Sequence, residues 1–366
     1  MRFLPILLFA SSVLGALVPE ANSDEATPTI LEEGALNDVA TKTENAAFAA
    51  VTCNNRTKFK FYGVNQAGAE FGQNVIPGVL GTHYTWPSPS SIDYFTSRGF
   101  NSFRIAFLME RLVAPSTGVK GPHVQAYLQG LTSIVNYITS KGAYAILDPH
   151  NYLRYNGQLM TNTNESIVVW KNLATVFKNN SRVIFDLQNE PYGIDATTTA
   201  AMMQAGINGV RAAGATSQMI FVQGTAWSGA WSWTLDSGNA NAFKNLKDPN
   251  NNLAVEMHQY PDSDSSGTST TCVSPTIAVE RLRAATEWLK ANNLKGFLGE
   301  FGGGSNDVCI QAWQQGLCYM QQQGGVWIGA LWWAAGPWWG DYFQSIEPPN
   351  GPSISRILPE VLTPFL

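Results

Sequence analysis

The sequence has little charge for its size. Asp, Glu, Lys and Arg make up only 13% of its 366 residues, against about 25% in an ordinary soluble domain. Residues 1–50 hold seven of the 27 acids and two of the 22 bases, which leaves 20 acids and 20 bases in the rest of the chain. A neutral body has no basic surplus with which to follow a phosphate backbone, so nucleic acid is excluded as a partner.

Long apolar runs are also missing, apart from a short one at the start of the chain. Residues 3–10 are apolar, Arg2 precedes them, and the small residues Gly15 and Ala16 follow. The run is shorter than the roughly 20 residues of a membrane anchor, and it predicts a secretory signal peptide over residues 1–16. We therefore expect a secreted, extracellular protein with no membrane partner.

Residues 17–50 contain a single aromatic residue, Phe48, and show no hydrophobic period. They hold seven acids but only one base, Lys42. This composition predicts an acidic, flexible pro-segment or spacer, followed by one folded domain over residues 51–366.

Cysteine is scarce, and the four cysteines are Cys53, Cys272, Cys309 and Cys318. In an exported chain they predict two disulfides, with three pairings open. Their irregular spacing does not match a zinc site. Candidate glycosylation triplets begin at Asn55, Asn164 and Asn179, and each alone is a weak signal because such triplets arise by chance.

Hydrophobic residues are plentiful, at 45% of the chain, and they follow a repeating pattern. Eight apolar runs, typical of buried parallel strands, occupy residues 59–64, 100–107, 142–148, 183–188, 219–223, 253–258, 295–300 and 329–333. Amphipathic segments between them predict helices over 121–140, 164–178, 197–213, 275–292 and 306–322. The pattern predicts an α/β fold, a (β/α)8 TIM barrel that forms a single catalytic domain. A doubly wound open sheet is disfavoured, because no Gly-x-Gly-x-x-Gly turn follows the first strand.

Two glutamates stand at the ends of predicted strands. Glu190 follows the fourth apolar run and Glu300 ends the seventh, and these strands face each other across the mouth of such a barrel. A retaining glycosidase needs two carboxyls about 5–5.5 Å apart, one as acid and one as nucleophile. Either glutamate alone fits a helix cap or a surface salt bridge, but both together at these positions favour catalysis.

Other polar residues at the same predicted rim suit supporting roles. Arg104 is expected to pair with Glu300 and keep it ionised, and Asn189 to bind a sugar 2-hydroxyl. His258 and Tyr260 are expected to orient Glu300 or share its protons. His150 and His258 are equally compatible with packing roles, and Asp148 with His150 does not complete a metal ligand set. We expect neither a metal nor a cofactor.

The chain also has 12 tryptophans, several of them clustered with Gly and Pro after the fifth and eighth predicted strands. Those of the first cluster are Trp227, Trp231 and Trp233, and those of the second are Trp332, Trp333, Trp338 and Trp339. Indole faces stack on the apolar faces of pyranose rings. Core filling explains some of these tryptophans, but crowding in loops favours a binding role. With the neutral, amide-rich composition, this predicts an uncharged polysaccharide as partner.

Several of these motifs resemble glycoside hydrolase family five. The motifs are Asn189-Glu190-Pro191, Gly299-Glu300 and His258-Gln259-Tyr260. A second set is similar to the secreted fungal endo-β-1,4-glucanases of that family: Gly68-Ala69-Glu70-Phe71-Gly72, Asp148-Pro149-His150-Asn151-Tyr152, and Trp332-Trp333 through Gly340-Asp341. The resemblance covers about residues 58–350. Pro261 and Tyr192 depart from the family, where leucine and histidine are usual.

The resemblance implies a barrel fold and retention of anomeric configuration, with Glu190 as acid/base and Glu300 as nucleophile. It implies a Cys272–Cys309 disulfide, which leaves Cys53 and Cys318 for the other. It implies that Trp227 flanks the cleavage point. It assigns six residues to the central sugar subsite: Arg104, His150, Asn189, His258, Tyr260 and Trp333.

The function we expect is endo-acting cleavage of internal β-1,4-glucosidic bonds in cellulose and soluble β-glucans by double displacement. A β-mannanase or xyloglucanase on the same fold is the enzymatic alternative. An inactive sugar-binding barrel is disfavoured, because such a protein has no need of both glutamates. We expect the chain to act as a monomer.

Overall fold

Eight parallel β-strands close into a barrel in the computed structural model, which describes residues 52–366. The predicted signal peptide (1–16) and acidic spacer (17–50) lie outside the described residues. The barrel strands pair in the order β1-β2-β3-β6-β7-β8-β9-β10 and back to β1. Their bounds are β1 Phe61–Ala69, β2 Ser102–Phe107, β3 Tyr144–Pro149, β6 Val183–Leu187, β7 Met219–Gln223, β8 Leu253–Gln259, β9 Gly296–Phe301 and β10 Trp327–Ala335. The remaining two strands, β4 Arg154–Tyr155 and β5 Gln158–Leu159, form a small antiparallel hairpin after β3.

Helices alternate with the barrel strands, as a (β/α)8 barrel requires. The long ones are α3 Gln125–Ser140, α4 Thr163–Phe177, α5 Ala196–Ala212, α7 Ile277–Ala291 and α8 Asp307–Gln321. The short ones are α1 Pro89–Thr96, α2 Met109–Leu112, α6 Asn239–Phe243 and α9 Ile354–Ile357. Single turns of other helix types occur at Pro115–Thr117, Ala226–Ser228, Leu358–Leu362 and Thr363–Phe365. The predicted TIM barrel is confirmed.

Local sequence sets several helix starts. The side chains of Asn162, Asp195 and Asn306 each accept a backbone N–H from the first turn of α4, α5 and α8. Such caps satisfy donors that a helix leaves without an internal partner. The connection after β7 contains the short helix α6.

The barrel is filled in two levels. The main core lies between strands and helices, and a separate apolar cluster fills the interior with Phe61, Ile146, Ile184, Phe221, Ala254, Phe297 and Leu331. Toward the carboxyl ends of the strands, buried charged residues replace this apolar filling, among them Arg104, Asp186 and Glu256. The interior of the barrel is thus packed with apolar side chains, and a layer of charged residues lies at the carboxyl-terminal end, where barrel enzymes place their active sites.

Two disulfides cross-link the fold, in the pairing that the family resemblance implies. Cys53, which precedes β1, is bonded to Cys318 on α8. Cys272, in the loop between β8 and α7, is bonded to Cys309 at the start of α8. The asparagines of the three glycosylation triplets, Asn55, Asn164 and Asn179, are exposed. Among residues 52–366, no helix combines the length and apolar character needed to span a bilayer.

Candidate active site

Glu190 lies in the turn that follows β6, in a left-handed backbone conformation with φ of 43°. Its N–H donates to Oε1 of Gln223, at the end of β7, over 2.9 Å. Left-handed conformations are uncommon outside glycine, and they gather at functional sites where the surroundings hold them. The side chain is 16% exposed at the mouth of the barrel.

Glu300 is held at both oxygens. Arg104 Nη1 donates to Oε1 over 2.9 Å, and the hydroxyl of Tyr260 donates to Oε2 over 2.8 Å. Both oxygens of Glu300 therefore accept a hydrogen bond from a side chain. The nearest carboxylate oxygens of Glu190 and Glu300 lie within 4.8 Å of each other, so the two strand ends do bring the glutamates together.

Arg104 is fully buried at the centre of an ionic cluster. Burial opposes its charge, but the surrounding carboxylates outweigh burial and raise the pKa of the guanidinium. Besides Glu300, its nitrogens lie 2.7–3.1 Å from oxygens of Asp148, Asp186, Glu256, Asn189 and Asn65. Of these contacts, only the one with Glu300 was predicted from the sequence. Two of the other partners had a signal in the sequence, because Asp186 in β6 and Glu256 in β8 are acidic residues within otherwise apolar strands.

His258 connects the two catalytic candidates. Its Nδ1 lies 2.7 Å from Oε1 of Glu190 and 3.6 Å from Oε2 of Glu300. Burial lowers the pKa of His258 to about 3, although Glu300 pulls it upward, so the ring is neutral at ordinary pH. The predicted shared proton network therefore involves Glu190 more closely than Glu300.

The electrostatics favour a protonated Glu190. Burial raises the pKa of this carboxyl to about 7, against the opposing effects of His150 and Arg104. A carboxyl with such a pKa remains an acid in mildly acidic solution and can act as a general acid. Glu300, with two donors, and Glu190, with a raised pKa, thus have the unlike environments that acid and nucleophile require.

His150, Asn189 and Trp333 form the adjacent wall. The ring of His150 stacks on Trp333 with centroids 5.2 Å apart, and its Nδ1 donates to Asp148 over 2.8 Å. Burial alone lowers the pKa of His150, but Asp148 outweighs it and raises this pKa to about 9. Asn189 is fully buried and joins Arg104 to His150 through contacts of 2.7 and 3.2 Å.

An open cleft runs across these residues as two cavities that meet at Glu190. The smaller, about 440 Å³, is lined by His150, Glu300 and Trp333. The larger, about 800 Å³, is lined by Tyr192 and Trp227. The two carboxyls therefore stand in the middle of the cleft rather than at a closed end.

Trp227 lines the larger cavity and is 55% exposed. Its indole stacks on Tyr192, with centroids 5.1 Å apart and planes 8° apart. The guanidinium of Arg154 lies 3.8 Å from the centre of the Tyr192 ring. Tyr192, one of the two departures from the family pattern, is thus a direct support for Trp227.

The other tryptophans divide between core and surface. Trp233 and Trp332 are fully buried, so core filling explains them. Trp231 is 45% exposed and lines the larger cavity. Trp338 is 39% exposed but lines neither of the two cavities. Trp339 stacks on Tyr342.

Several residues that line the cleft were not predicted from the sequence. Tyr152 borders both cavities, and Tyr342, Phe343, Ser266 and Thr268 complete the smaller one. Tyr152 had a usable signal, since it follows the third strand within a motif already noted. The other four residues lie in loops, where the sequence has no periodicity from which the direction of a side chain can be predicted.

Glu190, His258 and Glu300 are also the described residues whose ligand-type atoms lie close enough to hold a metal ion. Each of these atoms already has a partner: Nδ1 of His258 contacts Glu190, and Glu300 accepts from Arg104 and Tyr260. The arrangement is complete as a hydrogen-bonded network, and we assign no cofactor to it.

The chain forms a closed (β/α)8 barrel, and two carboxylates lie together in an aromatic cleft at its carboxyl-terminal mouth. This arrangement is typical of glycoside hydrolases. Residues 64–336 match the family model for cellulase (glycosyl hydrolase family 5). The chain belongs to that family.

Named relatives and solved structures agree with this assignment. A probable endo-beta-1,4-glucanase B of Neosartorya fischeri is 51% identical over 308 residues, which are 84% of this chain and 92% of the relative. Endoglucanase gh5-1 of Neurospora crassa is 52% identical over 294 residues, 80% of this chain and 74% of the relative. The solved structure of XacCel5A in complex with cellopentaose matches with a TM-score of 0.79 and 39% identity, over 84% of this chain and 99% of its own.

Proposed function

We propose that this protein is a secreted endo-β-1,4-glucanase that cleaves internal bonds of cellulose and soluble β-glucans with retention of configuration. Family membership and the fungal relatives named as endo-beta-1,4-glucanases support the activity. The cleft, open on both sides of the carboxyl pair, supports endo action, because a long chain can pass across it. The structure that holds cellopentaose is of a related protein and is consistent with a multi-sugar site.

The observation that carries the mechanism is the short distance between the carboxylates. Retaining glycosidases hold their two carboxyls about 5–5.5 Å apart, and inverting ones about 6.5–9.5 Å apart to admit a water. Oxygens of Glu190 and Glu300 lie within 4.8 Å. This short separation supports direct attack of one carboxylate on the anomeric carbon rather than attack by a water held between carboxylate and sugar.

In the first step Glu300 is the nucleophile. Its carboxylate forms a bond to the anomeric carbon, the bond from that carbon to the bridging oxygen breaks, and Glu190 gives its proton to this oxygen. In the second step Glu190, now ionised, takes a proton from a water that attacks the anomeric carbon and releases Glu300. Two inversions leave the product with the configuration of the substrate.

The neighbouring residues support these two steps. Arg104 and Tyr260 hold Glu300 in place through their contacts with its two oxygens. His258 contacts Glu190, and His150 with Trp333 forms the wall for the sugar bound to Glu300. Asn189 is assigned to the sugar 2-hydroxyl, and Trp227 stacks on the sugar of the leaving group.

The domain organisation belongs to the same proposal. Residues 1–16 act as a signal peptide, 17–50 as an acidic spacer, and 51–366 as the catalytic barrel. The protein acts outside the cell as a monomer on a polysaccharide. The two disulfides fit an oxidising destination.

The test compares reducing-end release from carboxymethylcellulose, galactomannan, xyloglucan and laminarin. We expect the highest rate on carboxymethylcellulose, with a rapid fall in viscosity that marks internal cleavage. Glu300→Gln should abolish release, while Glu287→Gln, a matched change at an exposed site remote from the cleft, should not. Preference for galactomannan or xyloglucan would replace the substrate assignment. No hydrolysis of any of the four would refute the proposed function.

A further inference from the structure

Glu256 is a buried acid for which the two catalytic steps above assign no role. It lies on β8 two residues before His258, so both side chains point into the barrel. Its Oε1 lies 3.4 Å from Nε2 of His258 and 3.1 Å from Nε of Arg104. Glu256 thus contacts the edge of the His258 ring opposite to the edge that faces Glu190.

Contact with Arg104 determines how Glu256 meets the histidine. A guanidinium has only donors, so the oxygen next to it is favoured as an acceptor, with any proton on the other oxygen, Oε2. Oε1 can then accept from His258 whether or not Glu256 is ionised. The contact with Oε1 therefore favours the tautomer of His258 that carries its hydrogen on Nε2, from which Nε2 donates a hydrogen bond to Oε1.

The role of Nδ1, on the other edge of the His258 ring, follows from the hydrogen on Nε2. A neutral imidazole has one donor nitrogen and one acceptor nitrogen. With the proton on Nε2, Nδ1 is an acceptor, and it lies 2.7 Å from Oε1 of Glu190. Two acceptors repel at that distance, so Glu190 must supply the hydrogen. The opposite tautomer would place an N–H against Glu190 and stabilise its ionised form instead.

We propose that Glu256 is a positioning residue that fixes the tautomer of His258 and thereby keeps Glu190 in the protonated form. The inference deepens the proposed function, because it explains how the general acid is prepared for the first step. It acts through His258 and requires no contact between Glu256 and substrate.

Glu256 is placed for this task by its surroundings. A Cβ atom at position 299 would overlap its Oε1, so Gly299, next to Glu300, makes room for the carboxylate. The charged and titratable groups around Glu256 and His258 are Arg104, Asp148, His150, Asp186, Glu190, Tyr260 and Glu300. Among the described residues, the other carboxylates that contact Arg104 make no contact with Nε2 of His258.

The protonation states agree with the geometry. Burial, reinforced by Asp186, raises the pKa of Glu256. Burial lowers the pKa of His258 to about 3 and raises that of Glu190 to about 7. The imidazole ring of His258 is therefore neutral, and only one of its two nitrogens carries hydrogen.

The kinetic test uses two variants of similar size and equal charge. Glu256→Gln keeps a carbonyl oxygen that can accept from Nε2, whereas Glu256→Met has no such acceptor. The readout is the alkaline limb of the pH profile of kcat/KM on cellopentaose, whose leaving group needs a proton from Glu190. We expect the limb to move about one pH unit lower in Glu256→Met, the size of one hydrogen bond to a charged group, and to stay in place in Glu256→Gln. Equal shifts in both variants, or no shift in either, would overturn the proposal.

A second measurement needs no variant of Glu256 and no activity. The chain has four histidines, and ¹⁵N-labelled histidine reports which ring nitrogen carries hydrogen. The His258 signal is assigned by its loss in His258→Asn. At pH 5 we expect hydrogen on Nε2 and none on Nδ1. Hydrogen on Nδ1 would overturn the inference even in a fully active glucanase, whereas failure of the glucanase assignment would leave the tautomer unchanged.

Discussion

The hydroxyl of Tyr260 donates a hydrogen bond of 2.8 Å to Oε2 of Glu300. Arg104 donates to the other oxygen of the same carboxylate. In the proposed mechanism one of these oxygens must bond to the sugar, and its charge is spread into the new bond. The two donors therefore set both the position and the reactivity of the nucleophile.

Tyr260→Phe removes one of these donors and leaves the ring in place. Without this hydrogen bond the carboxylate of Glu300 is less well aligned with the anomeric carbon. Misplacement of a reacting group can cost about 100-fold in rate, so we expect kcat to fall about 10–100-fold with a smaller change in KM. Steady-state kinetics on soluble cellulose checks this. Tyr94→Phe, on α1 and outside the cleft, is the control and should retain full activity. An unchanged kcat in Tyr260→Phe would show that the contact plays no part in the reaction.

Activity should disappear as the pH rises through about 7. The raised pKa of Glu190 means that its acid form is present below this value and lost above it. With an aryl cellobioside whose leaving group needs no proton, Glu190→Gln should retain measurable activity without the alkaline limb. The measurement is kcat/KM from pH 4 to 9 in both proteins. A limb that persists in Glu190→Gln belongs to another group.

Trp333 and Trp227 should affect different substrates. Trp333 borders the cavity of Glu300, so Trp333→Ala should lower kcat/KM on every substrate by about tenfold or more, as truncation of a central aromatic contact does. Trp227 borders the other cavity, so Trp227→Ala should reduce cleavage of cellopentaose more than that of an aryl cellobioside. Phenylalanine should restore part of each loss, because it keeps a ring face. Equal losses on both substrates in both variants would indicate damage to folding.

The Cys53–Cys318 disulfide should stabilise the fold without affecting catalysis. It joins residues 265 apart, and closing so long a loop stabilises by up to about 5 kcal/mol in the chain-entropy model. The double variant Cys53→Ala/Cys318→Ala should lose free energy of unfolding and keep kcat at 25 °C, since neither residue borders the cleft. Denaturant unfolding and initial rates test the two statements. A large fall in kcat at full folding would contradict the second.

The strands of the barrel were predictable because burial on both faces leaves a continuous apolar run. The run at 219–223 coincides with β7, and the other seven overlap their strands. Helix ends were less certain. The predicted helix over 121–140 begins only at Gln125, because His123 forms a bridge with Val113. Such tertiary contacts leave no periodic signal in the sequence.

The site was predictable where function places a polar residue at a strand end, as with Glu190 and Glu300. It was not predictable where partners meet inside the barrel. Asp186 and Glu256 come from different strands, and only the closed sheet brings both to Arg104. The stack of Tyr192 on Trp227 likewise depends on two loops whose conformations the sequence pattern does not determine.

The assignment of roles to the two glutamates is tested most directly by azide rescue of two variants on dinitrophenyl β-cellobioside. In Glu300→Ala, azide takes the place of the nucleophile and displaces the leaving group once, so we predict the α-configured cellobiosyl azide. In Glu190→Ala, Glu300 still forms the covalent intermediate and azide attacks it from the opposite face, so we predict the β-configured azide. Proton NMR of the anomeric signal distinguishes the products. The same configuration from both variants, or the two configurations exchanged, would contradict the account.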